Sequence, residues 1–329
     1  MAGPRVPSPV PLVTRELRSN GKRADFPRRG LFQAMAAGVM AGIAPAAQQP
    51  ASNNPPPPQA PDAASARTKE LAPQMSFEVP PPIEVAHSIS YRLSTRQDAD
   101  QRRLDIYRNM SSGKNPVVIF VHGGAWRSGH RRQYLPLGVS LALKRITTVI
   151  PSYSQAPAYR FPEPGRDIAA VVNWVRDNMS RYGGDPNKIF LAGHSSGVQI
   201  AALVALDPRY LAFHSLPPTV IRGVIALSGI YEVPPGFDYA FGGEDERAQA
   251  SPSRFVREGA PPFLVVRGGN DAQLVLRQTG PFAESLQSRG VEVETEVYPE
   301  EDHNSIIALA SIRNSDLLQR IQGFVKAHS

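Results

Sequence analysis

Apolar runs alternate with amphipathic stretches along the chain from about residue 84 onward. Continuous apolar runs that are bounded by polar residues or glycine are typical of strands buried on both faces of a parallel sheet. The alternation therefore predicts a regular succession of strands and helices. The predicted strands are 84–92, 103–109, 117–121, 147–153, 188–193, 224–229, 263–268 and 291–299.

Helical periodicity fills the intervals between several of these strands. Apolar residues recur three and four positions apart after Asp167, which we expect to be a helix N-cap, and Gly183 ends the pattern. Further helices are predicted over 196–206, over 276–289 and from about residue 314 onward. Because strands that alternate with helices form parallel sheets, the pattern predicts an α/β fold with a mainly parallel central sheet and helices on both faces.

Two regions depart from this alternation. Only a polar turn separates the first two strands, so we expect them to form an antiparallel edge of the sheet on its N-terminal side. The stretch 231–260 is too long for a plain connection, and we expect it to form a small lid over a site. No internal repeat or linker follows residue 84, so residues 76–329 are predicted to be one domain.

Proline is concentrated at the start of the chain. Sixteen of the 33 prolines lie in residues 1–82. A segment of this composition cannot bury enough apolar surface to offset the entropy that is lost on ordering. We therefore predict that residues 1–75 form a separate, largely disordered segment.

Residues 27–50 resemble a twin-arginine export signal. Arg28 and Arg29 precede a weakly apolar run rich in alanine and glycine, and small residues at 44–46 resemble a cleavage site. The resemblance implies a periplasmic or secreted protein. A mitochondrial transit peptide, or a plain disordered tail on a cytoplasmic protein, is the alternative. The run is too short and too weakly apolar for a stable membrane span.

Charge and cysteine content exclude several classes of function. The net charge is +7, but the first 60 residues carry +5 of it, and the remainder holds 29 basic and 27 acidic residues. No basic stripe with interleaved aromatic residues follows, so we expect no nucleic-acid partner. The absence of cysteine excludes disulfides, thiolate metal sites and a cysteine nucleophile.

The sequence GHSSG at 193–197 fits the pattern G-x-S-x-G in one register, with Ser195 at its centre. A buried strand is predicted before it and a helix after it, which is the context that a nucleophile elbow requires. Glycines two positions before and after the serine let the strand and helix approach, so that the hydroxyl rises above the sheet. The alternative is a serine that merely caps the helix.

A second glycine-rich motif, HGGAW at 122–126, directly follows a predicted strand. It is similar to the oxyanion loop of lipases and esterases, in which backbone N–H groups face the reacting carbonyl oxygen. The similarity implies an oxyanion hole formed by the N–H groups of Gly124 and Ala125, with Gly123 as a further candidate, and completed by the N–H of Ser196. A plain glycine-rich turn is the alternative.

A serine nucleophile needs a base, and a carboxylate must orient that base. Of the seven histidines, His303 follows the last predicted strand, and Asp271 follows the strand before it. The order Ser195, Asp271, His303 is the order found in α/β-hydrolases. Glu301 and Asp302 adjoin the histidine, but such close neighbours rarely reach its ring nitrogen. We therefore predict a triad of Ser195, His303 and Asp271.

Together these motifs identify residues 84–327 as similar to an α/β-hydrolase of the esterase/lipase group. The similar segments also include LDIY at 104–107 and YGGDPNKIFLAGHSSG at 182–197. They most resemble prenylcysteine carboxyl methylesterases, arylformamidases and other hormone-sensitive-lipase-like carboxylesterases. The resemblance implies hydrolysis of a small-molecule ester through an acyl-enzyme, with no metal or cofactor. Two departures are Ala125 in place of a third glycine and Ser196 in place of alanine; neither removes a backbone N–H.

Three alternatives stay open at this point. An amidase or arylformamidase could use the same triad, and a hydrolase-fold binding protein could have lost catalysis. Trp126 could border the site and contact substrate, or it could pack in the core. The sequence does not decide the acyl and alcohol specificity or the oligomeric state.

Overall fold

A computed structural model describes residues 65–95 and 98–329. In this part of the chain eight strands form one open sheet in the order β1-β2-β4-β3-β5-β6-β7-β8. β1 and β4 each pair antiparallel with β2, and every other neighbouring pair is parallel. The mainly parallel sheet and its antiparallel edge are therefore confirmed. The strands are β1 Ile83–Ser90, β2 Arg103–Asn109, β3 Asn115–Val121, β4 Thr147–Pro151, β5 Gly184–His194, β6 Ile221–Leu227, β7 Phe263–Asn270 and β8 Val293–Asp302.

Helices connect most of the parallel strands, and five short 3-10 turns accompany them in the described residues. The helix predicted over 196–206 is found with the same bounds, the other predicted helices are found with shifted ends, and further helices lie where no periodicity indicated them. The α-helices are α1 Ala66–Leu71, α2 Leu135–Leu143, α3 Glu163–Asn178, α4 Ser196–Leu206, α5 Pro208–Ala212, α6 Asp238–Phe241, α7 Glu244–Gln249, α8 Gln273–Ser288, α9 Ser305–Ala310 and α10 Asp316–Ala327.

The sheet separates two apolar cores. Along β3, Val117, Ile119 and Val121 belong to one core, whereas Val118 and Phe120 belong to the other, as the period of two in a strand requires. Side chains of α3, α4 and α8 fill the first core, and side chains of α2, α9 and α10 fill the second. Both faces of the sheet are covered, which explains the continuous apolar runs of its central strands.

The prediction that Asp167 is an N-cap is wrong. α3 begins one turn earlier, with Pro164 in its first turn, where the missing N–H costs nothing. The buried carboxylate of Asp167 instead accepts the Ser154 N–H at 2.8 Å and an Arg92 N–H at 2.5 Å. Burial raises the pKa of Asp167 above its usual value. These hydrogen bonds connect the residues that follow β1 and β4 to α3.

Residues 65–75 lie on the N-terminal side of the predicted boundary at residue 75, yet they are folded. α1 and a 3-10 turn over Ala72–Gln74 bring Leu71 and Met75 against Ala308 of α9. The predicted export signal and the rest of residues 1–64 lie outside the described residues and stay predictions. In residues 65–95 and 98–329, no helix has the length and apolar character that a membrane crossing needs.

The stretch 231–260, called the lid segment from here on, folds as α6, α7 and a 3-10 turn over Pro252–Phe255. Its position is set by contacts with the 122–126 loop. The Tyr239 hydroxyl donates to the Ala125 carbonyl oxygen at 2.9 Å, and the guanidinium of Arg127 lies over the Tyr239 ring. The lid segment therefore packs directly on the loop that was expected to form the oxyanion hole.

Candidate active site

Ser195 lies at the turn between β5 and α4. Its backbone has φ 56° and ψ −126°, a conformation that is costly for a residue with a side chain and that is found at functional sites. A Cβ on Gly197 would lie 2.1 Å from the Val121 carbonyl oxygen, and one on Gly193 would lie 2.6 Å from the Gly197 backbone. Only glycine fits at these two positions. The predicted elbow geometry is therefore present, and Ser195 occupies the strained turn.

A chain of hydrogen bonds runs from Ser195 to Asp271 through His303. The Ser195 Oγ and the His303 Nε2 are 2.8 Å apart, and the His303 Nδ1 lies 2.7 Å from the Asp271 Oδ1. The three residues come from the carboxyl ends of β5, β7 and β8, which meet at one edge of the sheet. Residues that are 108 and 32 positions apart in sequence are thus brought within hydrogen-bond distance.

Asp271 is fixed by four hydrogen bonds. Its Oδ1 accepts the Ala272 N–H at 2.7 Å in addition to His303, and its Oδ2 accepts the Ser228 hydroxyl at 2.5 Å and the Gly268 N–H at 3.2 Å. Burial alone would raise the pKa of Asp271, but the hydrogen bond to His303, its charge and the Ser228 hydroxyl hold it below the usual value. The carboxylate therefore stays ionised beside the imidazole.

Three backbone N–H groups of the 122–126 loop and the elbow are candidate oxyanion donors. Within the described residues, the N–H groups of Gly124, Ala125 and Ser196 make no hydrogen bond. The Gly123 N–H, by contrast, donates to the Tyr134 hydroxyl at 3.3 Å. Gly124, Ala125 and Trp126 all have positive φ, which turns the loop tightly after β3. Of the predicted donors, the geometry therefore favours Gly124, Ala125 and Ser196 over Gly123.

His122 braces the loop from below. Its Nδ1–H donates to the Gly123 carbonyl oxygen at 2.8 Å, and its ring stacks on Tyr153 at 4.4 Å. The Tyr153 hydroxyl donates in turn to the His122 carbonyl oxygen at 3.0 Å. Burial lowers the pKa of His122 to about 4, so the imidazole is neutral at neutral pH. These contacts hold the start of the loop against β4.

The LDIY motif contributes a buried ion pair beside the same loop. The fully buried Asp105 accepts the Arg131 Nε–H at 3.0 Å. Arg131 also donates to the Ser152 hydroxyl and to Asp100. Its five donors suit a site with several acceptors. Arg131 lies in the 3-10 turn Arg131–Tyr134 that follows the loop, so the pair anchors the chain just after the loop to β2.

His194 has a role that the sequence did not indicate. The residue is fully buried, and its Nε2–H donates to the His303 carbonyl oxygen at 2.7 Å. The two imidazole rings lie 5.0 Å apart. Burial, and to a smaller extent the charge of His303, lowers the pKa of His194 to about 3. A neutral histidine next to the nucleophile thus holds the backbone of the candidate base.

Acidification from pH 7 to pH 5 is expected to destabilise the fold through His122 and His194. Their folded-state pKa values of about 4 and about 3 lie below the ordinary histidine value of 6.5. Between these values the unfolded chain binds more protons, so the free energy of unfolding falls as the pH drops. The fall approaches about 1.4 kcal/mol per pH unit for each histidine. Urea unfolding at pH 7, 6 and 5 measures it.

His194→Gln is the matched variant for this measurement, because glutamine keeps a side-chain donor but does not titrate. We expect the variant to lose roughly half of the slope that the two histidines produce. Carboxylates, including Asp167 with its raised pKa, titrate alike in the variant and the wild type, so the difference between the two slopes reports His194. Equal slopes for the variant and the wild type would contradict the assignment of a neutral, buried His194.

Trp126 lies in the core rather than in an open site. The side chain is 2% exposed, and its ring makes edge contacts with Phe237 at 5.0 Å and Phe241 at 4.8 Å. Its Nε1–H donates to the Gln199 Oε1 at 2.7 Å, and Gln199 donates to the Ala250 carbonyl oxygen. Of the two roles considered for Trp126, packing in the core is the one observed. Its contacts join the 122–126 loop to the lid segment.

The fold and site define a class of architecture: an open, mainly parallel sheet with an elbow serine after β5 is the α/β-hydrolase fold. Residues 104–229 match the BD-FAE family model.

In the described residues, no group of three or more histidine, aspartate or glutamate side chains is arranged to hold a metal ion.

The chain is similar in sequence to named esterases. It is 27% identical to isoprenylcysteine alpha-carbonyl methylesterase from Arabidopsis thaliana, over 70% of this chain and 61% of that protein. It is 33% identical to esterase LipC from Mycobacterium tuberculosis, over 58% of this chain and 53% of that protein. The chain thus spans little more than half the length of these relatives.

The fold of the chain is also similar to that of solved esterase structures. Esterase B from Lactobacillus rhamnosis superposes with a TM-score of 0.67 at 19% identity, and the match covers 80% of this chain and 90% of that one. At this level of identity the superposition establishes the fold, and it confirms the α/β-hydrolase architecture expected from the sequence motifs.

Proposed function

We propose that the protein is a serine hydrolase that cleaves carboxylic esters of small molecules through an acyl-enzyme. One observation carries the proposal: the unbroken hydrogen-bond chain from the Ser195 Oγ through His303 to Asp271, at distances of 2.8 Å and 2.7 Å. A serine hydroxyl becomes nucleophilic when an adjacent base accepts its proton, and the carboxylate keeps that base in the required tautomer.

In the first half of the reaction the Ser195 Oγ attacks the ester carbonyl carbon, and its proton passes to the His303 Nε2. The carbonyl oxygen becomes an oxyanion, which the N–H groups of Gly124, Ala125 and Ser196 stabilise. Each such donor contributes about 3–4 kcal/mol when tested by removal. The C–O bond to the alcohol then breaks, and the alcohol leaves with the proton from His303.

In the second half a water molecule attacks the acyl carbon of the Ser195 ester. His303 accepts a proton from that water, and the same N–H groups hold the second oxyanion. Collapse of this intermediate releases the carboxylic acid and returns the proton to Ser195. Asp271 stays ionised throughout and stabilises the imidazolium that forms in each half. The reaction needs no group outside the chain other than water.

Similarity to proteins that are named esterases supports an ester as the substrate, whereas similarity to kynurenine formamidase from Danio rerio, at 29% identity, supports the alternative of an amide. The names of the esterases include a methylesterase and esterase LipC. The alternative, an amidase with the same triad, shares every residue of the mechanism above. The two functions differ in the leaving group, because an amine must be protonated before it can depart, whereas an alkoxide is a better leaving group.

A panel of matched esters and amides tests the proposal on the wild-type protein. We expect turnover of p-nitrophenyl acetate and butyrate in the ordinary range of about 1–1,000 per second. The corresponding p-nitroanilides and N-formylaniline are expected to react far more slowly. Faster cleavage of an amide than of its matched ester would favour the amidase. A protein that cleaves none of them, and that an aryl phosphonate does not label, would favour a binding function.

A further inference from the structure

Residues 65–77 lie against the part of the chain that carries His303. α1 is capped by Ser65, whose hydroxyl accepts the Thr68 N–H at 3.0 Å. The buried Leu71 and Met75 pack on Ala308 of α9, the helix that begins two residues after His303. The Arg313 guanidinium also donates to the Ser76 hydroxyl at 3.0 Å. The segment is thus attached at several points along its length.

One contact of this segment reaches the end of β8, two residues before His303. The Arg67 Nε–H and Nη2–H both donate to the Glu301 Oε1, at 2.9 Å and 2.8 Å. The Glu301 side chain is only 3% exposed, and its Oε2 is buried without a hydrogen-bond partner in residues 65–95 and 98–329. A carboxylate in such a position depends on its cation, because a buried charge without a partner is costly.

The backbone of Glu301 has little freedom to adjust. A Cβ on Gly268 would lie 2.3 Å from the Glu301 carbonyl oxygen, so the ends of β7 and β8 are in close contact there. Gly268 also donates its N–H to the Asp271 Oδ2. A displacement of Glu301 would therefore be transmitted along the chain to His303, two residues later. It would also be transmitted to Asp271 through the contact of Glu301 with Gly268.

We propose that Arg67 is a positioning residue for His303, and that residues 65–77 belong to the catalytic unit rather than to a dispensable leader. Arg67 acts through Glu301: it neutralises the buried carboxylate and so fixes the end of β8 and the following residue, His303, where it meets Ser195 and Asp271. This inference rests on the proposed function, because it assigns a task to Arg67 only if His303 is the general base.

Arg67→Ala is the direct test in the full chain. We expect kcat/KM for p-nitrophenyl butyrate to fall about tenfold, since small displacements of a catalytic group are costly in rate. Arg320→Ala is the matched control: Arg320 also pairs with carboxylates of β8, Glu294 and Glu296, but several residues away from His303. We expect the control to stay within about twofold of the wild type.

A conservative variant and a double variant show whether Arg67 positions His303 or only stabilises the fold. Arg67→Lys keeps the charge but offers one ammonium in place of two guanidinium donors, so we expect an intermediate loss. Glu301→Gln removes the charge that Arg67 neutralises. If Arg67 acts through Glu301, the double variant loses no more activity than Arg67→Ala alone. Multiplicative losses in the double variant would overturn the proposal.

A proton NMR measurement does not depend on catalytic turnover, so it distinguishes failure of this inference from failure of the proposed function. The His303 Nδ1–H that bonds Asp271 gives a downfield proton resonance, which we expect to broaden or shift in Arg67→Ala but not in Arg320→Ala. A wild type without esterase activity would refute the proposed function, while this resonance would still test Arg67. An unchanged resonance, together with activity within twofold of the wild type, would refute the positioning role.

Discussion

Ser195→Ala is expected to lower kcat for ester hydrolysis by roughly 10⁵- to 10⁶-fold, the loss that follows removal of a serine nucleophile from a triad. The hydroxyl next to it in sequence cannot replace it. The neighbouring Ser196 is fully buried, so its side chain cannot reach a substrate. The strained backbone of the elbow lifts only the Ser195 hydroxyl toward His303. The measurement is the initial rate with p-nitrophenyl butyrate, with mass spectrometry after incubation with an aryl phosphonate.

Ser196→Ala is the matched comparison, because it removes the adjacent hydroxyl and keeps the backbone N–H of the candidate oxyanion hole. We expect this variant to lose less than about tenfold in kcat and to form the phosphonate adduct. The adduct mass should be absent from Ser195→Ala. Activity above about 1% in Ser195→Ala, measured on protein that has not been exposed to wild-type enzyme, would contradict the mechanism.

Asp271→Asn is expected to lower kcat by about 10⁴-fold while leaving the fold intact. The Ser228 hydroxyl and the Gly268 N–H both donate to the Oδ2 of Asp271. In the variant these donors favour the amide oxygen on their side, which turns the NH₂ group toward the His303 Nδ1. The imidazole then carries its proton on Nε2 and cannot accept one from Ser195.

Asp302→Asn is the control for this second prediction, because Asp302 adjoins His303 in sequence. Its carboxylate accepts the N–H groups of Asn304 and Ser305, both at 2.9 Å, at the start of α9. We expect a loss of less than about tenfold, together with a modest loss of stability, as for other side chains that cap a helix. The steady-state kcat of both variants, with thermal unfolding as a check on folding, decides the assignment. A larger loss in Asp302→Asn than in Asp271→Asn would refute it.

The residues of the candidate site could be predicted because each follows a recognisable strand. Apolar runs located β5 and β7, and the alternation of apolar and polar residues located the edge strand β8; the fold brings the ends of the three strands together. The helix α2 was missed for a physical reason: residues 136 to 142 are all buried, so the helix is apolar on every side and shows no helical periodicity. The start of α3 was misplaced because Asp167 has the chemistry of a cap but makes tertiary contacts instead.

The contacts that support the site could not be predicted in the same way. His194 has no motif of its own beyond its place next to Ser195, and its partner is a backbone carbonyl 109 positions away. Arg67 and Glu301 are 234 positions apart, and both lie among other charged residues in the sequence. Nothing in a local pattern identifies which arginine meets which glutamate. Such pairs are set by the packing of α1 on α9.

The contact between Arg67 of α1 and Glu301 at the end of β8 also affects the stage of folding at which the site is completed. A contact across 234 residues closes after the intervening strands have assembled, because the entropy of so long a loop must be overcome first. During synthesis α1 emerges first and β8 is among the last strands to appear. We therefore expect hydrolytic activity to be acquired in the last stage of folding, after the nucleophile elbow has formed.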